Sequence, residues 1–189
     1  MTTAKDYLSV SELAELGLAA VGRHVYISRR ATIMHPERVA IGNMVRIDAY
    51  SLISASESVA IGNYVHIGSS VTINAVAPVF IRDFAGISSG TKIFTSDDDY
   101  SGDYLVGPTV PGELSNICTA PVELREHSVV GANSVILPGT VLEEGAVVGA
   151  LSLAKGRIAE WGIYGGVPAR RVKSRSRKLL EKAAQLNLD

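Results

Sequence analysis

The sequence predicts an all-β fold: a three-sided parallel β-helix with a short helix at each end and one long extruded loop. Three observations carry that reading. Ile41, Ile61 and Ile81 recur every twenty residues, each opening Ile-(Gly/Arg)-(Asn/Asp) and each preceded by Val39, Val59 or Val79. Within a period an aliphatic residue falls at every sixth position, as in Ile41, Ile47, Ile53 and Ile61, Ile67, Ile73; the beat resumes at Leu124, Val130, Ile136, Leu142 and Val148. Small or slender residues stand four places after these aliphatics, among them Val45, Ser51, Val65, Thr91, Ser134 and Ser152. A helix repeats every 3.6 residues and a strand every two, so neither sustains a six-residue beat. A coil that inserts one aliphatic per side and turns on slender residues does.

Each element follows in order. Ser9-Val10-Ser11-Glu12 has the form of a capping box, Leu13, Leu16 and Leu18 follow it, and Gly17 is placed to stop a helix over 8–18. The β-helix is expected over 21–172. Three sides of six leave two extra residues in each period of twenty, near His35-Pro36, Ser56-Glu57 and Val76-Ala77 at the third corner. After Ile93 the counterpart of Val79 is Val122, 43 residues on, so that corner must extrude a loop over 95–121. Long loops on a regular scaffold are usually functional or disordered, and TSDDDYSGDYLVGPTVPGELSN mixes acids, aromatics and turn residues in a way that favours function. Helix formers with a Leu179, Leu180, Ala183, Leu186 stripe predict a second helix over 174–188. Both helices are expected to cover the open ends of the coil, where strand edges and lumen side chains would otherwise be exposed. Residues 1–189 read as a single domain.

Composition narrows the function. Of the residues, 47% are apolar and 20% charged, with a net charge of −1, which offers no broad basic surface for nucleic acid; only RRVKSRSRK is locally basic. No apolar run has the length of a membrane span, and MTTAKDYLSVSEL lacks an apolar signal core, so a cytoplasmic location is expected. The single cysteine, Cys118, cannot close an internal disulfide, and no Cys/His spacing matches a metal site, so none is expected.

The hexapeptide beat resembles the hexapeptide-repeat acyltransferases. So do Gly131-Ala132-Asn133-Ser134-Val135-Ile136-Leu137-Pro138-Gly139 and the closing Tyr164-Gly165-Gly166-Val167-Pro168-Ala169-Arg170. Within that family the chain is most similar to the galactoside and polysaccharide O-acetyltransferase branch, whose loop pattern is echoed by Ser96-Asp97-Asp98-Asp99-Tyr100-Ser101-Gly102 and Pro108-Thr109-Val110-Pro111. The resemblance implies a left-handed coil, against the usual right-handed crossover of parallel strands. It also implies a homotrimer with acetyl-CoA, as co-substrate, in the cleft between neighbouring prisms. The family's cofactor positions match Ala132 and Ala150 beside the pantetheine arm, Lys155 near the cleft, and Arg170 and Lys173 near the phosphates.

The expected activity is acetyl transfer from acetyl-CoA to a sugar hydroxyl of a polysaccharide or lipopolysaccharide precursor. N-acetylation of a nucleotide-linked amino sugar is the alternative. Attack on a thioester by a hydroxyl needs a base. Galactoside acetyltransferases place a histidine in a Thr-Gly-His context at the start of the loop, where this chain has Thr95-Ser96-Asp97. The catalytic candidates are Asp97 and Asp98, which stand at that point of the loop, and His66, where the resemblance to amino-sugar acyltransferases of the family implies a histidine contacting cofactor or substrate. Asn74, Asp99 and Tyr100 are the acceptor-binding candidates, with Asn74 one coil below the loop. His24, His35 and His127 read as surface residues at corners. Two other classes share the architecture. A β-helix carbonic anhydrase would need three histidines converging on zinc, which this spacing does not supply. A scaffold without activity would not bind acetyl-CoA.

Overall fold

A computed structural model describes residues 6–186. Three sheets form the faces of a prism, with seven, eight and six strands, all parallel except the last strand of the eight-stranded sheet. On the first face Ile41, Ile61, Ile81, Leu124, Leu142 and Ile158 lie in register, one coil upon the next. On the second face the stack is Ile27, Ile47, Ile67, Ile87, Val130 and Val148. On the third it is Ile33, Ile53, Ile73, Ile93, Ile136 and Ala154. All but Ile158, which follows Ala154 by four residues, fall on the six-residue beat, and all except Ile33 are buried. Burying each large aliphatic contributes about 1.5–3 kcal/mol, which is why the beat tolerates so little interruption.

The corners are held by backbone geometry. At the first corner His24, Met44, Tyr64, Phe84, His127, Gly145 and Trp161 all have positive φ, one above another. Tyr64 stacks on Phe84 at 4.9 Å and Phe84 on His127 at 4.8 Å. Next along this corner is Gly145; a Cβ there would lie 2.5 Å from the Trp161 ring. Asn43, Asn63 and Asp83 complete the corner, each side chain accepting from the backbone N–H one coil below. His127 is thus a packed member of an aromatic column, and burial pushes its pKa down. The first face is laced outside by ion pairs, with the buried Glu143 held by Arg125 at 2.6 Å and Arg157 at 2.8 Å.

The N-terminal helix spans Val10–Glu15, with Ser9 and Glu12 closing the capping box and Leu13 buried in the core. Glu12 also accepts both guanidinium nitrogens of Arg29. The C-terminal segment differs from the expected order of elements. Ser174, the expected first residue of the helix, instead ends a strand, Arg170–Ser174, that leaves the regular coil expected to 172 and turns back antiparallel on Gly162–Gly165. The helix is confined to Leu179–Ala183 and buries no residue. The unpaired edge of the last second-face strand draws this segment back antiparallel, because pairing satisfies its backbone groups. Asn187 and Leu188, included in that expected helix, lie outside the described residues.

The excursion leaves the prism as an antiparallel ladder, Ser96–Asp98 against Ile117–Thr119. Its base is tied by Thr95, whose buried hydroxyl accepts from Val76 N and Ala77 N at 2.8 and 2.9 Å and donates to the Asn74 carbonyl. Ala120 N then donates to the Thr95 carbonyl, and Val122 re-enters opposite Val79. Thr95→Val keeps the shape but leaves two buried N–H groups unpaired. It should destabilise the protein by about 1–3 kcal/mol, read as a lower urea midpoint at unchanged m-value. An unchanged midpoint would show that water replaces the hydroxyl.

Candidate functional site

The extruded loop folds back over the third face and encloses a cleft of about 820 Å³. Its apolar wall includes Phe94, Val135, Leu137 and Leu153 from the prism, with Pro108 and Ile117 from the loop. Four of the residues expected from sequence, Asn74, Asp97, Asp98 and Tyr100, line the same cleft. Asn74 lies in register with Phe94, and both project from the third face. Asp97 accepts the Tyr100 hydroxyl at 2.6 Å, which raises the phenol's pKa because its ionised form would face the carboxylate. Asp98 accepts from Gly107 N, tying the loop's far limb to its base. Asp99 turns aside, accepting from Ser101 N at 2.7 Å and from the Asn116 amide at 2.7 Å. It fastens the loop and does not line the cleft.

His66 lies elsewhere. It projects from the second face, between Arg46 one coil below and Gly86 one coil above. Its Nε2 is 2.8 Å from Asp48 Oδ2, and Asp48 also accepts two bonds from Arg46 at 2.7 and 2.9 Å. Partial burial raises the Asp48 pKa, but the bonds from Arg46 and His66 outweigh it and hold the carboxyl below its ordinary value. Within one chain, then, His66 and Asp97 stand on different faces. The sequence reading missed Asp48. The signal available was its outward position beside Ile47, diagonal to the position before Ile67 on the next coil.

The residues expected to meet a cofactor follow the upper part of the prism. Ala132 and Ala150 occupy the second corner on successive coils, joined by Leu151 N donating to the Ala132 carbonyl. Stacking is tight there: a Cβ on Gly131 would lie 2.4 Å from Ala150 N. Lys155 is exposed just beyond Ala154, the last of the third-face stack. Arg170 and Lys173 are exposed on the returning strand, opposite Gly165 and Ile163. One outward row of the second face therefore runs His66, Gly86, Val129, Val147, Ile163, Lys173. Five strand steps put its ends roughly 24 Å apart. Among the described residues no three His, Cys, Asp or Glu side chains gather to hold a metal ion, and no helix is long and apolar enough to cross a membrane.

Hydrogen bonds from Ser101 and Asn116 hold the Asp99 carboxyl below its ordinary pKa. The folded value lies below the unfolded one, so this fastening contributes stability at neutral pH and loses it as pH falls from about 4 toward the folded value. Proteolysis within the loop should accelerate in that window, and Asn116→Ala should bring comparable cleavage at neutral pH. Cleavage independent of both changes would show that the ladder alone closes the loop.

No family model matches the chain. The chain is similar across its length to AntD, an N-acyltransferase from Bacillus cereus solved in complex with dTDP and 3-hydroxybutyryl-CoA. The identity is 40%, with 95% of each chain covered and a TM-score of 0.92. It is 40% identical over 94 residues to a dTDP-4-amino-4,6-dideoxy-D-glucose acyltransferase of Escherichia coli, spanning 50% of this chain and 49% of that protein. It is 32% identical over 99 residues to a candidate lipopolysaccharide biosynthesis O-acetyl transferase, WbbJ, of Escherichia coli, spanning 49% of this chain and 50% of that one. The chain thus spans about half the length of the curated relatives it matches, and nearly the whole of AntD. With a left-handed parallel β-helix built on the hexapeptide beat and this likeness along its whole length, the chain belongs to the hexapeptide-repeat acyltransferase family.

Proposed function

We propose that this protein transfers an acyl group from acyl-CoA to the amino group of a nucleotide-linked amino sugar. The observation that carries the reading is the 40% identity to AntD, an N-acyltransferase complexed with dTDP and an acyl-CoA, over 95% of both chains. The amino-sugar acyltransferase of Escherichia coli supports the same acceptor class. Acceptor chemistry favours it too. A neutral amine attacks a thioester carbonyl without prior deprotonation, and the resulting N–H⁺ adduct is acidic enough for a carboxylate or imidazole to take its proton. The C–S bond then breaks and coenzyme A departs as the thiol, so an Asp-lined cleft suffices where a hydroxyl acceptor would demand a stronger base.

In this reading the coenzyme's phosphates pair with Arg170 and Lys173, and its pantetheine arm follows the second-face row past Ala132 and Ala150 toward His66, with Lys155 at the edge of the groove. The roughly 24 Å span of that row fits an extended arm with its diphosphate. Asn74, Asp97, Asp98 and Tyr100 take the acceptor, with Asp99 shaping the loop. Because His66 and Asp97 face different directions on one prism, the reading includes a homotrimer in which the loop of one subunit meets the second face of the next. The resident location is the cytoplasm, where acyl-CoA and nucleotide sugars are available.

O-acetylation of a saccharide hydroxyl is the second reading. It is favoured by the likeness to WbbJ and by the Ser96–Gly102 and Pro108–Pro111 loop pattern. A thiol-release assay separates the two. With acetyl-CoA and 3-hydroxybutyryl-CoA as donors, turnover should require a dTDP-linked 4-amino sugar and be absent with its hydroxyl counterpart. Turnover with hydroxyl acceptors alone would favour the second reading, and absence of turnover with every acceptor would contradict both. Arg170→Ala combined with Lys173→Ala should weaken acyl-CoA binding about tenfold and flatten its salt dependence, leaving acceptor affinity unchanged. Unchanged affinity in titration calorimetry would remove both residues from the phosphate site.

A further inference from the structure

We propose that Gly86 selects the acyl group of the donor: its missing side chain leaves a notch on the second face that seats the carbon chain beyond the thioester carbonyl, so that four-carbon donors fit as well as two-carbon ones. The inference rests on the functional reading above, in which the thioester end of acyl-CoA comes down the second face. Gly86 opens the strand Gly86–Ile87 and faces outward, between His66 on the coil below and Val129 on the coil above. Every other position of that row, from Tyr26 to Ile163, carries a side chain the size of valine or larger. A glycine inside a strand costs stability and packs against nothing, and it commonly marks a place where something approaches the backbone closely.

The fold does not ask for this glycine. Gly22, Gly42, Gly62, Gly68 and Gly131 stand where a Cβ would lie 2.3–2.8 Å from an atom of the next coil. Gly90 and Gly145 hold left-handed corners, at φ +75° and +66°. Gly86 has no positive φ, and a Cβ built on it meets nothing within 4 Å. The space it leaves therefore opens toward whatever lies against the second face. His66 and Val129 bound it from two coils, two strand spacings or roughly 9.6 Å apart. That width admits one aliphatic chain in van der Waals contact with both sides. Four strand steps, roughly 19 Å, separate Gly86 from Lys173 along the row. A pantetheine arm extended from phosphates at Lys173 brings its sulfur to that height, and the acyl chain then falls into the notch. Gly86→Val would repeat the residue one coil above and fill the space.

The experiment compares wild type, Gly86→Ala and Gly86→Val with acetyl-CoA and butyryl-CoA as donors and a dTDP-linked amino sugar as acceptor. Wild type should use butyryl-CoA at least as well as acetyl-CoA. Gly86→Val should lower kcat/KM for butyryl-CoA about a hundredfold more than for acetyl-CoA, and Gly86→Ala about tenfold more. Because a Cβ at this position meets nothing in the chain, both variants should unfold at or above the wild-type temperature and keep the wild-type assembled mass. Equal losses with both donors, or no loss with either, would overturn the proposal, as would a wild type that uses acetyl-CoA and rejects butyryl-CoA. A fall in assembled mass in Gly86→Ala would give the space to a neighbouring subunit and overturn it equally. Titration calorimetry without acceptor reads the same selection: Gly86→Val should weaken butyryl-CoA binding more than acetyl-CoA binding, and equal weakening would count against the notch. If wild type acylates no amine at all, the functional reading fails by itself, and this binding ratio still decides whether Gly86 admits the longer chain.

Discussion

The whole molecule depends on one repeated contact, an aliphatic side chain lying in register on its counterpart one coil below, three times per turn. Ile47 on Ile67 on Ile87 is one such run, and its members are essentially without solvent exposure. The packing is one-dimensional, so each coil is stabilised mainly by its neighbours. Everything outside the stack can vary if the stack is left undisturbed. The loop exploits that freedom. It departs after Ile93 and returns before Val122 without shifting the register of any face, because Thr95 replaces the usual corner's backbone bonds with its hydroxyl.

The same regularity arranges the surface. Strands at a fixed separation place outward residues in straight rows, and the second-face row from His66 to Lys173 is such a ruler. At the corners, left-handed backbone conformations recur at two or more positions per coil, as at Tyr64 and Ser70 or Phe84 and Gly90, and along the first corner successive rings stack. Polar groups then settle at places the ruler dictates: acids and Tyr100 in the loop's cleft, the Asp48–His66 pair low on the second face, and basic residues on the returning strand. No single face of one prism holds all three.

The inward half of the fold was legible because burial imposes a period on the sequence. Ile41 through Val148 could be assigned to faces before any coordinates, and the excess of residues before Val122 located the loop. Asn74, Asp97, Asp98 and Tyr100 were also legible, since the loop's composition and its position beside the third corner bring them together. What escaped was outward and relational. Nothing in the period says that Asp48 reaches diagonally to His66, or that His127 is clamped between Phe84 and Trp161. The returning strand Arg170–Ser174 escaped for a different reason: it carries no six-residue beat, and its antiparallel turn is set by the unpaired edge beside Gly162–Gly165.

In the proposed reading the catalytic site is divided between the second face of one subunit and the loop of another. Trimers assembled from His66→Ala and Asp97→Ala chains test it most directly. Each variant alone should be nearly inactive as a homotrimer. Mixed trimers should recover part of wild-type activity, because some clefts then combine an intact His66 with an intact Asp97. Mixtures shown by mass to contain both chains, yet as inactive as either parent, would contradict the shared site.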